Sequence, residues 1–199
     1  MNKLPVMEQF LTLQGEGFHT GRSAVFVRLG GCDVGCVWCD VKESWDISKH
    51  PLKSLNEILD EVNKYSTDFV VITGGEPSMH DLTLFIKALK SQNKYIAIET
   101  AGTNPLPKGI DWICFSPKKF KKPIDEIYTY ANELKVVIYH PSDLMWAKEH
   151  AKKLNKKAQL YIQPEWSRSD EHMQIILDFL NENPNWKLSL QTHKFLNIP

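Results

Sequence analysis

SAVFVRLGGCDVGCVWCD, Ser23–Asp40, passes from an apolar, β-rich run into a loop holding three of the chain's four cysteines. A short apolar run rich in Val and Phe and closed by glycines reads as a buried strand. Cys32, Cys36 and Cys39 then follow at positions i, i+4 and i+7 of the loop leaving that strand. Thiolates at that spacing can wrap one compact metal centre.

Similar runs recur at DFVVIT, YIAIE, DWICF, LKVVIY, QLYIQ and WKLSL. Helical periodicity separates several of them. One helix is predicted after Ser54, which has capping-box spacing to Glu57 and precedes a stripe of Leu55, Ile58, Leu59 and Val62. A second, about Asp81 to Gln92, aligns Leu82, Phe85, Ile86 and Leu89; a third, after Ser142, aligns Leu144, Ala147 and Ala151. A fourth, after Ser169, aligns Met173, Ile176, Leu177 and Leu180 and stops before Pro184. The connections TAGTNPLPKGI and SPKKFKKPIDEIYTYAN leave room for a turn or two at most.

Alternating strands and helices predict parallel pairing with right-handed crossovers. A complete eight-unit barrel takes about 250 residues, so 199 residues fit an incomplete, open TIM-type barrel with a reduced set of helices, one α/β domain over 1–199. The strand ends carry GGCDVGC, TGGEP, ETAGT, SPK, QPEW and QTHK. Ligands in parallel α/β architectures sit at the C-terminal strand ends, so these six segments are expected on one rim.

Composition sets the remaining bounds. Hydrophobic residues at 42% and charged residues at 24% are ordinary for a globular protein. A formal net charge of zero argues against a nucleic-acid surface, and the runs KKFKK and KKLNKK read as solvated faces. MNKLPVMEQF has no apolar core long enough for a signal peptide, and no stretch approaches a membrane span. The expected compartment is the cytoplasm, where thiols stay reduced and clustered cysteines read as metal ligands.

Structural zinc takes four protein ligands, and His19 is the candidate to complete a Cys3His site. Cys114 lies in the apolar run DWICF and reads as a buried structural thiol. An iron–sulfur cluster on three cysteines leaves one iron without a thiolate, an open position for chemistry.

The cysteine spacing, with Trp38 before the last cysteine, resembles the radical S-adenosylmethionine superfamily, and GGEP, Gly74–Pro77, resembles its second element. That resemblance implies a 4Fe-4S cluster on Cys32, Cys36 and Cys39, with the cofactor's amine and carboxylate on the open iron. Glycine there lets the backbone approach a ligand closely. Further motifs, FLTLQGEGFHTG, ETAGT, FSPK, LKVVI, YIQPEW and LSLQTHKFLNIP, resemble the 7-carboxy-7-deazaguanine synthase family along the whole chain.

The family resemblance implies contraction of 6-carboxy-5,6,7,8-tetrahydropterin to 7-carboxy-7-deazaguanine with loss of ammonia, a carbon–nitrogen lyase reaction of 7-deazapurine (queuosine) biosynthesis. A radical formed from S-adenosylmethionine would take hydrogen from C6 of the pterin and return it after rearrangement. By the same resemblance Leu13, Gln14, Gly15, Arg28 and Thr73 would hold the pterin, with Glu16, His193 and the terminal carboxylate of Pro199 beside it. Arg28 suits a carboxylate because a guanidinium binds one bidentately. Trp38, Cys39, Asp40, Gly75, Ser116, Pro117, Lys118, Gln163, Pro164, Glu165 and Trp166 match the cofactor-contacting positions, with Glu76, Glu99 and Lys135 as further candidates.

One position departs from the family. A threonine whose hydroxyl binds Mg2+ is usual after the third cysteine's CD, and Val41 stands there with no side-chain oxygen. Asp40 and Glu43 are the nearest carboxylates for such an ion. The expected partners are the pterin and a reductase or flavodoxin-type electron donor, with the enzyme a homodimer. The competing readings are a glycyl-radical-activating enzyme, which shares the cysteine loop, and a zinc-stapled binding module.

Overall fold

A computed structural model describes residues 3–199. It is built on one sheet of nine strands in the order β3-β1-β2-β4-β5-β6-β7-β8-β9. These strands are β1 Lys3–Leu13, β2 Ser23–Leu29, β3 Leu52–Ser54, β4 Phe69–Gly74, β5 Tyr95–Thr100, β6 Trp112–Phe115, β7 Glu133–Ile138, β8 Gln159–Pro164 and β9 Trp186–Leu188. From β2 through β9 every neighbouring pair is parallel. The edges β3 and β9 are separate strands of the described sheet, so the barrel is open.

Two strands were absent from the sequence expectation, β1 and β3. The run KLPVMEQFLTL mixes polar and apolar residues and includes Pro5, which masks its strand character. It pairs antiparallel with both β2 and β3, a departure from all-parallel pairing. Its register shifts between Val6 and Glu8. The extra residue swaps the faces of the strand. Leu4 and Val6 thus join the core beneath the helices, whereas Phe10 and Thr12 line the interior of the barrel.

The helices are α1 Leu55–Val62, α2 Thr83–Ser91, α3 Ile127–Tyr130, α4 Asp143–Ala151, α5 Ser169–Glu182 and α6 Thr192–Leu196. The Ser54–Glu57 capping box forms in full at the start of α1. The predicted stripes of α1 and α2 pack on the sheet, with Ile58, Val62, Phe85, Ile86 and Leu89 fully buried. In α5 the buried face is His172, Ile176 and Phe179, while Leu177 is exposed, so that stripe is rotated from the expected one. β5 joins β6 through a loop and β6 joins β7 through the single turn α3, as the short connections required.

Strand alternation divides the sheet's side chains into two populations. Val25, Val27, Val70, Ile72, Ile96, Ile98, Leu134, Val136 and Ile162 face the helices in the main core. Each such side chain contributes about 1.5–3 kcal/mol through burial. The intervening residues face inward, where Arg28, Thr73, Glu99, Lys135 and Gln163 line a cavity.

At the N-terminal strand ends the interior is plugged by aromatic rings. Phe18 stacks on Trp112 at 4.4 Å, and His19 lies edge-on to Trp112 at 4.9 Å. The Arg22 guanidinium covers Phe69 at 4.2 Å and Tyr95 at 4.7 Å. Among the described residues no helix is long and apolar enough to cross a membrane.

Candidate active site

At the opposite end, loops from the strand ends surround a cavity of about 260 Å³. All six segments expected on the rim contribute to its wall: Cys32, Cys36 and Cys39 after β2, Gly74–Glu76 after β4, Thr100 and Ala101 after β5, Ser116 and Lys118 after β6, Glu165 and Trp166 after β8, and Gln191, His193 and Lys194 after β9.

The cysteine loop folds back on itself because Val34 and Cys36 bury against Ala101. A Cβ on Gly75 would meet the Gly31 carbonyl oxygen at 2.2 Å and Cys32 Cβ at 2.7 Å. Only glycine permits that approach, and it presses the GGEP loop against the first cysteine. Gly74 has φ 147°, and a Cβ there would strike the Leu29 carbonyl oxygen at 2.1 Å. Glu76 braces the same corner. Its carboxylate accepts from Ser78 N at 3.0 Å, Thr100 Oγ1 at 2.5 Å and Ala101 N at 2.6 Å.

The three cysteines carry free thiols along one stretch of wall. Burial pushes Cys36 up to about 11 despite the nearby Lys118 ammonium. A bound metal reverses that preference, because a coordinating thiol is deprotonated. Among the described residues no three His, Cys, Asp or Glu side chains gather about a single point. His19, the candidate fourth zinc ligand, lies in the aromatic plug against Phe69 and Trp112, so the Cys3His site does not form.

Deeper in the cavity a charged network crosses the barrel. Lys135 on β7 donates to Glu99 on β5 at 2.9 Å and forms a short ion pair with Glu16. Gln14 donates to Glu99 at 3.2 Å, and Gln191 donates to Glu16 at 2.9 Å. Burial would raise the Glu16 carboxyl, but the Lys135 charge and these hydrogen bonds hold it down to about 2. Burial likewise disfavours the Lys135 ammonium, yet the surrounding groups keep its pKa well above the usual lysine range. Burial lowers His193, with Glu16 pulling in the opposite direction.

Below this network Glu133 accepts from Trp112 Nε1 at 2.9 Å and from Phe18 N at 3.2 Å. Its Oε1 has no hydrogen-bond partner among the described residues, and burial raises its pKa. Cys114 is buried on β6, as expected, and burial raises its pKa strongly.

Leu13, Gln14, Gly15, Glu16, Arg28, Thr73, His193 and Pro199 all line the cavity. Arg28 Nε also donates to Glu8 at 2.6 Å across the β1–β2 pair. Glu8 is 43% exposed on its side chain, and an ion pair of that kind is cheap to give up for a ligand carboxylate. Thr192 ties the terminal helix to Gly15 through its amide and its hydroxyl, both at 3.0 Å. Thr12 Oγ1 donates to the Pro199 carbonyl at 2.9 Å.

Of the expected cofactor positions, Trp38, Cys39, Asp40, Gly75, Ser116, Lys118, Gln163, Glu165 and Trp166 line the cavity, whereas Pro117 and Pro164 are buried beside it. Lys118 donates to the Ser116 carbonyl at 2.7 Å and its hydroxyl at 2.6 Å, and burial lowers its pKa. The magnesium expectation needs correction at one residue. Glu43 is exposed on the turn Lys42–Ser44 and does not line the cavity. Asp40 lines the wall but is held by Lys194 at 3.0 Å.

Sequence reading missed Phe10 and Phe26, which stack at 5.5 Å on the cavity wall, and also Trp45, Gln191 and Lys194. Alternation along β2 was the available signal for Phe26. The face swap in β1 hid Phe10.

The radical SAM superfamily matches residues 26–170. A 7-carboxy-7-deazaguanine synthase of Flavobacterium psychrophilum is 50% identical over 98% of this chain and 93% of its own length. One from Synechocystis is 45% identical over 98% and 93%, and one from Escherichia coli K12 is 34% identical over 98% of both. The crystal structure of QueE from Escherichia coli superposes with a TM-score of 0.79 at 29% identity, covering 94% of this chain and 93% of that one.

Proposed function

The chain belongs to the radical S-adenosylmethionine superfamily and, within it, to the 7-carboxy-7-deazaguanine synthases, and from that membership we propose how its residues perform the ring contraction. The reaction converts 6-carboxy-5,6,7,8-tetrahydropterin to 7-carboxy-7-deazaguanine with loss of ammonia, as a carbon–nitrogen lyase. The observation that carries the reading is the rim itself: the cysteine loop and GGEP press together above an interior of matched charges.

Cys32, Cys36 and Cys39 would hold the 4Fe-4S cluster, and Trp38, Gly75, Ser116, Lys118 and the Gln163–Trp166 segment would hold S-adenosylmethionine. When bound, the pair supplies an electron and the means to remove and return one hydrogen atom. Arg28 binds the substrate carboxylate, releasing Glu8 to solvent. Leu13, Gln14, Gly15 and Thr73 frame the pterin, and Glu16 presents an ionised carboxylate to its guanidine-like edge. Lys135 is a positioning residue, fixing Glu16 and Glu99 through direct ion pairs. His193 and Pro199 complete the wall from the terminal segment.

Magnesium, where the reaction uses it, would be held by substrate oxygens and water, with Asp40 as the adjoining protein carboxylate. Val41 lines the cavity without offering an oxygen. Turnover is measured after chelation and during magnesium addition; a large requirement that saturates at low concentration counts against this weakened site. The working form is taken as a homodimer, and sedimentation that finds only monomer rejects that part.

The central experiment is anaerobic reconstitution with iron and sulfide, followed by incubation with S-adenosylmethionine, a reductant and the carboxylated pterin. A brown thiolate-bound cluster and a deazapurine product are expected. A protein that binds no cluster is not a radical enzyme, and a loaded one that makes no deazapurine is not this synthase.

A further inference from the structure

Trp38, on the cavity wall, has an aromatic neighbour that the cofactor site does not absorb. Its indole lies within 23° of parallel to the Tyr139 ring, with centroids 6.4 Å apart. The Arg168 guanidinium lies over the Tyr139 ring at 4.4 Å. Tyr139 directly follows β7 and is half-buried, and neither it nor Arg168 lines the cavity.

The start of α4 fixes Tyr139 in turn. The buried Asp143 carboxylate accepts from Tyr139 N at 2.9 Å and from His140 N at 2.8 Å. The same carboxylate forms an ion pair with Lys119. The preceding residue, Lys118, lies over the Trp38 ring at 5.7 Å. Glu165 N donates to the Ile138 carbonyl at 3.0 Å, which ties the QPEW segment to the same strand end.

Three loops that line the cavity therefore meet at the end of β7. The cysteine loop arrives through Trp38, the loop after β6 through Lys119, and the loop after β8 through Glu165 and Arg168. A stacked ring pair and a cation over a ring each favour one relative placement of the two groups. Asp143 holds the backbone of Tyr139, so β7 and α4 fix the root of that ring.

Given the assignment of Trp38 to the S-adenosylmethionine wall above, we propose that Tyr139 is a positioning residue for that cofactor. Its ring sets the plane of Trp38, and Arg168 steadies the ring from above. Tyr139 acts through Trp38, which stands immediately before Cys39. Without the ring Trp38 samples more rotamers, and ordering it again on binding weakens affinity for the ligand that rests on it. These contacts use the Tyr139 ring and backbone amide, both of which phenylalanine retains.

The first measurement needs no cluster. Metal-free protein is labelled with 5-fluorotryptophan, and single Trp→Phe substitutions assign its six fluorine signals. In Tyr139→Ala the Trp38 signal is expected to shift and broaden, while those of Trp112 and Trp186 hold. In Tyr139→Phe the Trp38 signal stays at its wild-type position. The second measurement is turnover per loaded cluster at varied S-adenosylmethionine. Tyr139→Ala is expected to raise KM for the cofactor about fivefold and to keep kcat within about twofold. Tyr139→Phe restores the wild-type KM, and Arg168→Ala gives a smaller rise than Tyr139→Ala.

An unmoved Trp38 signal in Tyr139→Ala overturns the proposal. So does an unchanged KM, an equal loss in kcat, or a phenylalanine variant as impaired as alanine. If all signals collapse in Tyr139→Ala, Tyr139→Leu keeps bulk without the stack and is read by the same criteria. A wild type that loads no cluster refutes the radical reading instead, and the fluorine signals still decide whether Tyr139 places Trp38.

Discussion

The interior of the barrel ends differently at its two mouths. At the N-terminal strand ends Phe18, His19, Phe69, Tyr95 and Trp112 close on one another under the Arg22 guanidinium. That end is closed by its own rings, with Glu133 held by Trp112 and Phe18 at its edge. At the C-terminal ends three thiols, a row of glycines and the Lys135 network face a cavity. The same strands run through both regions, so stability and chemistry are separated along their length rather than between layers.

The separation is open to direct attack, and the largest effect belongs to the rim. Cys36→Ser substitutes a hydroxyl for a cluster ligand, and iron content and product are both expected below detection. Denaturation of the metal-free protein should move little, because the buried thiol makes its contacts in a loop cluster apart from the main core. A large stability loss there would erase the distinction. At the other mouth Phe69→Ala removes a fully buried ring. The expected cost is about 3–5 kcal/mol by urea denaturation, with iron bound per folded molecule unchanged. Impaired cluster loading in that variant would show that the plug also shapes the rim.

Glu16 lies between the two regions and reports on both through pH. Its folded pKa of about 2 lies below the ordinary glutamate value of 4.5. The unfolded chain therefore takes up its proton first, and acid favours unfolding. The stabilisation is present above pH 4.5 and is lost as pH falls toward about 2. For an isolated shift this size it is about 3 kcal/mol, shared here with Lys135. Urea curves across that range should be flatter for Glu16→Gln; parallel acid dependences would remove Glu16 from the account. Smallest is Ser54→Ala at the start of α1, which breaks the capping box outside both mouths. About 1 kcal/mol of stability is expected to go, with turnover per folded enzyme intact.

Legibility in the sequence followed the same division. The helix-facing layer announced itself because Leu55, Ile58, Phe85 and Leu89 repeat at helical spacing, and repetition is what a pattern can carry. α5 shows the limit: Phe179 and Leu177 both fit a stripe, and packing against Trp186 selected Phe179. The inner face is made of single residues with no repeat. Glu99 and Lys135 stand out only as charges within apolar strands, and their partnership depends on β5 and β7 lying on either side of β6. β1 was hidden by its face swap at the bulge. Lys194 arrives from the far end of the chain to hold Asp40, a contact that no local spacing encodes. The cysteine loop and GGEP were legible because close backbone approach and thiolate ligation restrict residue type so tightly.

Glu76 gives the cavity an unequal stiffness. Its carboxylate accepts two hydrogen bonds, from Thr100 and Ala101, that fasten the GGEP loop to the end of β5, and a third from Ser78 within the loop itself. Across the cavity, α6 is five residues long and hangs from Gly15, Thr12 and Asp40 by side-chain and terminal ties. The two walls therefore differ in what holds them: Glu76 ties one to the sheet, whereas the other depends on the contacts of Thr12, Thr192 and Lys194 with a terminal segment.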